Sequence, residues 1–244
     1  MTIPRLGRLI ALAGLCAIVP VSAAAQNAQT AGPKFCAGCN YAAAKLSGSD
    51  FTRAVYSGVN FEGADLSRAS FRNARILAAN FENADLRGAA FDGTQCTACN
   101  FIGAKLDGAT FTGVQIMAAN FKGFAASVTD EQLRQLLAGC AFCNFTGAKL
   151  AGRDLSEIPL LSVDFSGADL QGTRFDGAIL CWDVVNGTQR QPACDKMAGA
   201  ETSAASFSGV LLCENPLDRS TCHPVDAAML RANTGSPLSG AALP

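Results

Sequence analysis

Histidine is almost absent from this sequence: His223 stands alone among 244 residues, beside one Trp and two Tyr. A catalytic or metal centre built on several imidazoles is thereby excluded. Net charge is also lacking. Asp and Glu number 20 against 19 Lys and Arg, a formal balance of −1, so composition gives no case for nucleic acid or an anionic membrane as partner. Beyond residue 25 no apolar run is long enough to span a bilayer. Glycine, in contrast, occurs 24 times, a density suited to a tightly wound, closely stacked backbone.

The first residues read as an export signal. Arg5 and Arg8 form a positive n-region, Leu9 to Val21 an apolar h-region with Pro20 near its end, and Ala23-Ala24-Ala25 a small-residue cleavage pattern. Residues 1–25 are therefore expected to be a signal peptide, with Gln26 opening the mature chain and 26–35 forming a linker. The apolar run is short for a membrane anchor. Leu15 stands before Cys16 where lipidation needs a small residue. The expected location is periplasmic or secreted. Cleavage removes Cys16 and leaves ten of the 11 cysteines, the even number expected of paired thiols in an oxidising compartment.

An internal period dominates the rest. Every fifth residue from Tyr41 through Leu46, Phe51, Tyr56 and Phe61 to Phe121 is apolar, and most follow a small residue two places earlier, such as Ala64, Ala69 or Ala74. Five matches neither the helical period of 3.6 nor the strand period of 2. Sorting by position modulo twenty gives four columns. One is aromatic (Tyr41, Phe61, Phe81, Phe101, Phe121), one leucine (Leu46, Leu66, Leu86, Leu106) and one phenylalanine (Phe51, Phe71, Phe91, Phe111). The fourth is mixed: Cys36, Tyr56, Ile76, Cys96, Ile116. Like shapes recurring every twenty residues argue for coils stacked over a dry core. Asn40, Asn60, Asn80, Asn100 and Asn120 share a further column and are expected to form a structural amide ladder. A ligand role there would need a break that frees an amide.

Segments such as FEGADLSRAS and FENADLRGAA resemble the A-[DN]-[LF]-x-x consensus of pentapeptide-repeat proteins. The resemblance covers about residues 36–121 and 140–180. It implies an all-β fold, a right-handed quadrilateral β-helix with one pentapeptide on each side and twenty residues in each coil. On that reading residues 36–124 form a first array. A second array, 140–180, resumes the period with Phe145, Leu150, Leu155, Leu160 and Phe165. Residues 125–139 between them predict one short α-helix. Thr129 and Gln132 can form a capping box, Val128 and Leu133 a hydrophobic staple, and Gly139 a stop. Residues 181–232 read as a disulfide-looped C-terminal region, in which FSGVLL at 207–212 resembles FDGAIL at 175–180 and each is followed by Cys. The Gly-, Pro-, Ser- and Ala-rich stretch 233–244 is expected to be a flexible tail.

The motif C-x-x-C-N-[FY] occurs three times, at Cys36/Cys39, Cys96/Cys99 and Cys140/Cys143. Three chemistries compete for it. As structural disulfides, the pairs would staple corners, since the ends of a four-residue turn lie within about 7 Å and a disulfide needs Cα atoms roughly 4.4–6.8 Å apart. As metal ligands, Cys36/Cys39 and Cys96/Cys99 would sit three coils apart, roughly 14 Å, too far to share one ion. As redox centres, the interior pairs would point inward, which leaves Cys36/Cys39 at the end as the best candidate. For Cys181, Cys194, Cys213 and Cys222 the expected pairing is Cys181–Cys194 and Cys213–Cys222, each following a matching F-x-G-x-x-L segment.

No other catalytic constellation stands out, so no enzyme activity and no cofactor are expected. Some pentapeptide-repeat proteins inhibit DNA gyrase, which the resemblance explains by an acidic, DNA-like surface. Here Arg53, Arg68, Arg72, Arg75 and Arg87 are interspersed with the acids, and that function is not carried over. The expected function is a non-catalytic structural or protein-interaction scaffold outside the cytoplasm. The alternative is a thiol-based redox or metal-handling protein using the three CxxC pairs. The sequence names no particular protein partner, and the resemblance adds a second copy of the chain as a candidate. Nucleic acid and, after signal cleavage, a membrane are not expected partners.

Overall fold

A computed structural model of the chain describes residues 33–125, 127–186 and 189–244. The signal peptide expected at 1–25, and most of the linker after it, lie outside the described residues.

Each coil turns four corners, and each corner places one residue at positive φ, five residues after the last. The inward columns follow from this. Phe61, Phe81 and Phe101 lie one above another with ring centroids 5.2 and 5.0 Å apart and planes within 10° of parallel. Phe51, Phe71 and Phe91 stack in the same way, and rings of the two columns meet edge to face. Between them Leu66 and Leu86 are fully buried. Offset stacks and edge contacts suit the aromatic quadrupole, so the columns add directional contacts to the burial of apolar surface.

One side of every coil is a short strand: β1 (Phe35–Ala37), β2 (Val55–Ser57), β3 (Arg75–Leu77), β4 (Gln95–Thr97), β5 (Gln115–Met117) and β6 (Cys140–Ala141). They form one parallel sheet in sequence order, in register twenty residues apart from Phe35↔Val55 through Gln95↔Gln115. Only the middle residue of β2 to β5 points inward.

The two arrays are one continuous stack. A single column of parallel bridges runs Asn40, Asn60, Asn80, Asn100, Asn120, Asn144, Asp164, Lys196. Helix α1 (Asp130–Ala138) is inserted into one coil without breaking that column. Thr129 and Gln132 make the reciprocal capping box, and Val128 and Leu133 are both buried. At Gly139 any Cβ would collide with the Val114 carbonyl of the coil below. Glycine there is a packing requirement as well as a helix stop.

Beyond residue 180 the structure departs from the sequence reading in three ways. The coil does not end there. Strand β7 (Ile179–Asn186) and strand β8 (Gln189–Cys194) form an antiparallel hairpin that loops out of the stack. The chain then re-enters, with Lys196, Glu201 and Ser206 bridging Asp164, Asp169 and Arg174. Phe207 stacks on Phe175 at 5.0 Å, so FSGVLL lies on FDGAIL as the next rung. Strand β9 (Leu211–Cys213) pairs with β7 in parallel, and β10 (Cys222–Pro224) pairs with β9 antiparallel. The fold also contains a second helix, α2 (Ala227–Thr234), capped by Asp226 and ended by Gly235 at φ 69°. Finally, residues 233–244 are not a loose tail. Leu238 and Ser236 are buried, Ala242 bridges Ser206, and the segment forms the last partial rung. The end of the aromatic stack must be covered from water, and these residues cover it.

Candidate functional site

Three features could carry function: the cysteine corners, the flat sheet face, and a groove beside the β7–β8 hairpin. The corners come first. The structure joins Cys36 to Cys39, Cys96 to Cys99 and Cys140 to Cys143, with Cα separations of 5.9, 6.1 and 5.9 Å. Cys181 joins Cys194 across the base of the hairpin, and Cys213 joins Cys222 between β9 and β10, at 4.0 and 3.9 Å. The turn geometry explains the first three, because each corner brings two inward residues of adjoining sides together. Among the described residues no cluster of three or more His, Cys, Asp or Glu could hold a metal ion.

The outer face of β1 to β5 carries Phe35, Val55, Leu77 and Met117, all substantially exposed. Phe35 is 78% exposed. Arg75, Gln95 and Gln115 share that face. The other sides carry charge as well. Asp65 and Asp85 stack between Lys45 and Lys105. Arg72 pairs with Asp92 one coil on, at 3.1 Å. Hydrogen bonding from the Arg87 guanidinium holds the Asp85 carboxyl below its ordinary pKa.

The groove lies where the third CxxC corner meets the hairpin. It has a volume of about 420 Å³ and is lined by Phe142, Asn144, Ser162, Asp164, Cys194 and Lys196, among others. Nearby, Asp195 is fully buried at a position where lower rungs place Val163 or Cys143 inward. Its Oδ1 accepts the Val163 N–H, and among the described residues its Oδ2 has no partner. Burial pushes its carboxyl well above the ordinary pKa.

The family model described as "Pentapeptide repeat region" matches residues 37–129, and "Pentapeptide repeats (8 copies)" matches 143–180. Together they span more than half of the chain.

The chain belongs to the pentapeptide-repeat family.

Its fold is the right-handed quadrilateral β-helix of that family. No curated protein matches the sequence. Among solved structures, a trypsin-treated variant of QnrB1, a plasmid-mediated fluoroquinolone resistance protein, is similar at 20% identity. That match covers 85% of this chain and 81% of the other, with a TM-score of 0.39. A pentapeptide repeat protein of the Arabidopsis thaliana thylakoid lumen is 30% identical over 48% of this chain and 83% of its own, with a TM-score of 0.29.

Within this pentapeptide-repeat chain the cysteine pairs differ in access. Cys96, Cys99, Cys140 and Cys143 are each about 1% exposed, whereas Cys36 and Cys39 in the first coil are only partly buried. A thiolate must reach a sulfur to exchange with it. A brief pulse of mild reductant followed by alkylation is therefore expected to label Cys36 and Cys39 before the interior pairs. Peptide mapping checks this, and equal labelling of all three corners would contradict it.

Asp195 gives a second expectation. Its folded pKa lies above the unfolded value of about 3.9. The unfolded chain therefore ionises first as pH rises. The contribution of the neutral carboxyl is complete below the unfolded pKa and is lost as pH climbs towards the folded one. Asp195→Asn cannot ionise, so it should melt close to the parent at pH 4 and above it at pH 8. Thermal melts by circular dichroism read the difference, and a variant less stable than the parent at pH 8 would sink the argument.

Sequence reasoning missed Phe142, Trp182 and Asp195. A signal for the first was present: the third corner reads C-A-F-C where the others read C-A-G-C and C-T-A-C. Asp195 had none, because the hairpin hides which column it belongs to.

Proposed function

We propose that the chain is a non-catalytic protein-interaction scaffold of the periplasm or the extracellular space. The observation that carries this reading is the flat parallel sheet. Val55, Leu77 and Met117 stand exposed on a surface whose backbone is fixed by the coils on either side. Leu77 and Met117 stand two rungs apart with Thr97 between them, and Val55 lies beside Arg75. Apolar and polar side chains thus alternate on one rigid face, a mix that suits a non-obligate partner surface. Five cysteine pairs at disulfide distance fit an oxidising compartment, which supports export. Burial of the interior CxxC sulfurs favours a stapling role over thiol exchange. A second copy of the chain is a candidate partner on the same grounds of flatness and exposure.

The test is site-specific photo-crosslinking in the native compartment. A crosslinker at Leu77 or Met117 is expected to capture one discrete partner, and a crosslinker at Glu62 or Glu82 on another side is not. Equal capture from both faces, or from neither, would refute the assignment. Light scattering of the purified protein decides whether that partner is a second copy.

A further inference from the structure

We propose that the groove between the third CxxC corner and the β7–β8 hairpin binds a neutral oligosaccharide, a role beyond the scaffold reading. Its volume of about 420 Å³ falls within the range of small-molecule sites, roughly 300–1,000 Å³. Phe142 forms one wall. It is 53% exposed and held at φ 57°. A bulky residue in the left-handed region is an outlier, and the two sister corners place Gly38 and Ala98 there. The ring meets Trp182 edge to face, with centroids 6.2 Å apart, and the Trp182 indole N–H donates to Ser162 Oγ at 3.0 Å.

Asn144, Asp164 and Lys196 occupy successive rungs of the asparagine column and supply the polar side. Lower down, Asn80 Nδ2 donates to Asn60 Oδ1 at 3.3 Å and Asn100 Nδ2 to Asn80 Oδ1 at 3.1 Å. That ladder then stops. The expected ladder from Asn40 to Asn120 is thus realised only across Asn60, Asn80 and Asn100: among the described residues no side-chain bond joins Asn40 to Asn60, Asn100 to Asn120 or Asn120 to Asn144. Asn144 Oδ1 accepts the Thr146 N–H and Asp164 Oδ1 accepts the Ser166 N–H. This leaves the Asn144 amide N–H groups as donors and Asp164 Oδ2 as an acceptor.

Three considerations select the ligand. Asp164 and Lys196 place one charge of each sign on the groove, so an anion or a cation would meet a like charge beside its counter-charge. Added peptide strands need free main-chain groups. On the hairpin side the free edge is β8, where Pro192 offers no N–H and breaks a strand ladder. Here the N–H and C=O of Asn144, Asp164 and Lys196 are all spent on neighbouring rungs, for example Asp164 N–H to the Cys143 carbonyl and Phe145 N–H to the Asp164 carbonyl. A pyranose needs neither. Its hydroxyls both donate and accept, matching the amide, carboxylate and ammonium, and its C–H face packs on an exposed aromatic ring.

Trp182 is the one Trp of the chain and its ring meets Phe142, so its emission reports on the ring that walls the groove. The full-length mature protein is titrated with triacetylchitotriose and with maltotriose, by fluorescence and by calorimetry. At least one sugar is expected to give a saturable emission change and heat with a millimolar or tighter Kd. Phe142→Ala and Asp164→Asn should each weaken it tenfold or more, and Met117→Ala on the sheet face should not. Phe142→Ala is expected to fold, because Ala98 already occupies the equivalent corner at φ 53°. Circular dichroism verifies the variants. No saturable response to either sugar up to about 10 mM, a response that survives both groove variants, or saturation by inorganic phosphate in place of the sugars would overturn the proposal.

Discussion

Phe81→Asp is expected to leave the central coils unfolded. Phe81 has no exposed surface. Its ring lies between Phe61 and Phe101 and meets Phe71 and Phe91 edge to face. Truncation to Ala at such a site costs about 3–5 kcal/mol, from lost transfer energy and an unfilled cavity. Aspartate adds a buried carboxylate with no partner, whose desolvation costs several kcal/mol more. Whole domains are stable by only about 5–15 kcal/mol. In a solenoid each rung is held chiefly by its neighbours, so the damage falls on the coils around residue 81. Phe81→Ala should melt cooperatively at reduced temperature. Phe81→Asp should lose most of its β signal in circular dichroism and become open to proteolysis between residues 61 and 101. Native-like dichroism and protease resistance in Phe81→Asp would contradict the stacked-core account.

Ending the chain after Asp226 has the second large expected effect. Residues 227–244 bury Leu230 and Leu238 over the last rung. They also supply carbonyls to three backbone donors: Thr234 to the Met197 N–H, Gly240 to the Ala204 N–H and Ala242 to the Phe207 N–H, at 2.8, 2.8 and 2.9 Å. Without them the stack ends in an open rung above Phe207, with unpaired N–H groups beside an apolar surface. Such an edge is a template for another chain, and solenoids need a terminal cap to stay soluble. The truncated protein is expected to self-associate at micromolar concentration, as read by light scattering, and to melt earlier. Leu230→Asp in the full chain should weaken the same cap with every backbone group still present. A truncated chain that stays monomeric with an unchanged melting temperature would rule the cap out.

The stack was legible wherever the period was unbroken. Phe and Leu recur every twenty residues from Tyr41 to Phe121 because each inward pocket sits directly over a pocket of the same shape. Helix α1 was legible for a local reason: its capping box and staple lie within six residues of sequence. The final rung was not. The hairpin places Lys196 over Asp164 thirty-two residues on instead of twenty, and inward positions there hold Met197 and Thr202 instead of Phe or Leu. Helix α2 had its signals, Asp226 before it and Gly235 after it. The glycine- and proline-rich sequence that follows nonetheless reads as loose chain until the rung beneath it is known. The groove was harder still, because it joins Phe142, Asp164 and Lys196, which only the coil brings together.

The proposed scaffold has every thiol of its mature chain closed in a disulfide. The most direct test is the intact mass of the mature protein purified without reductant, before and after alkylation and under native conditions. The account predicts a chain beginning at Gln26, ten hydrogens lighter than the reduced form, two for each of five cysteine pairs, with no alkylation and no bound ion. Alkylatable CxxC thiols or a retained metal would contradict it and favour the redox or metal-handling alternative.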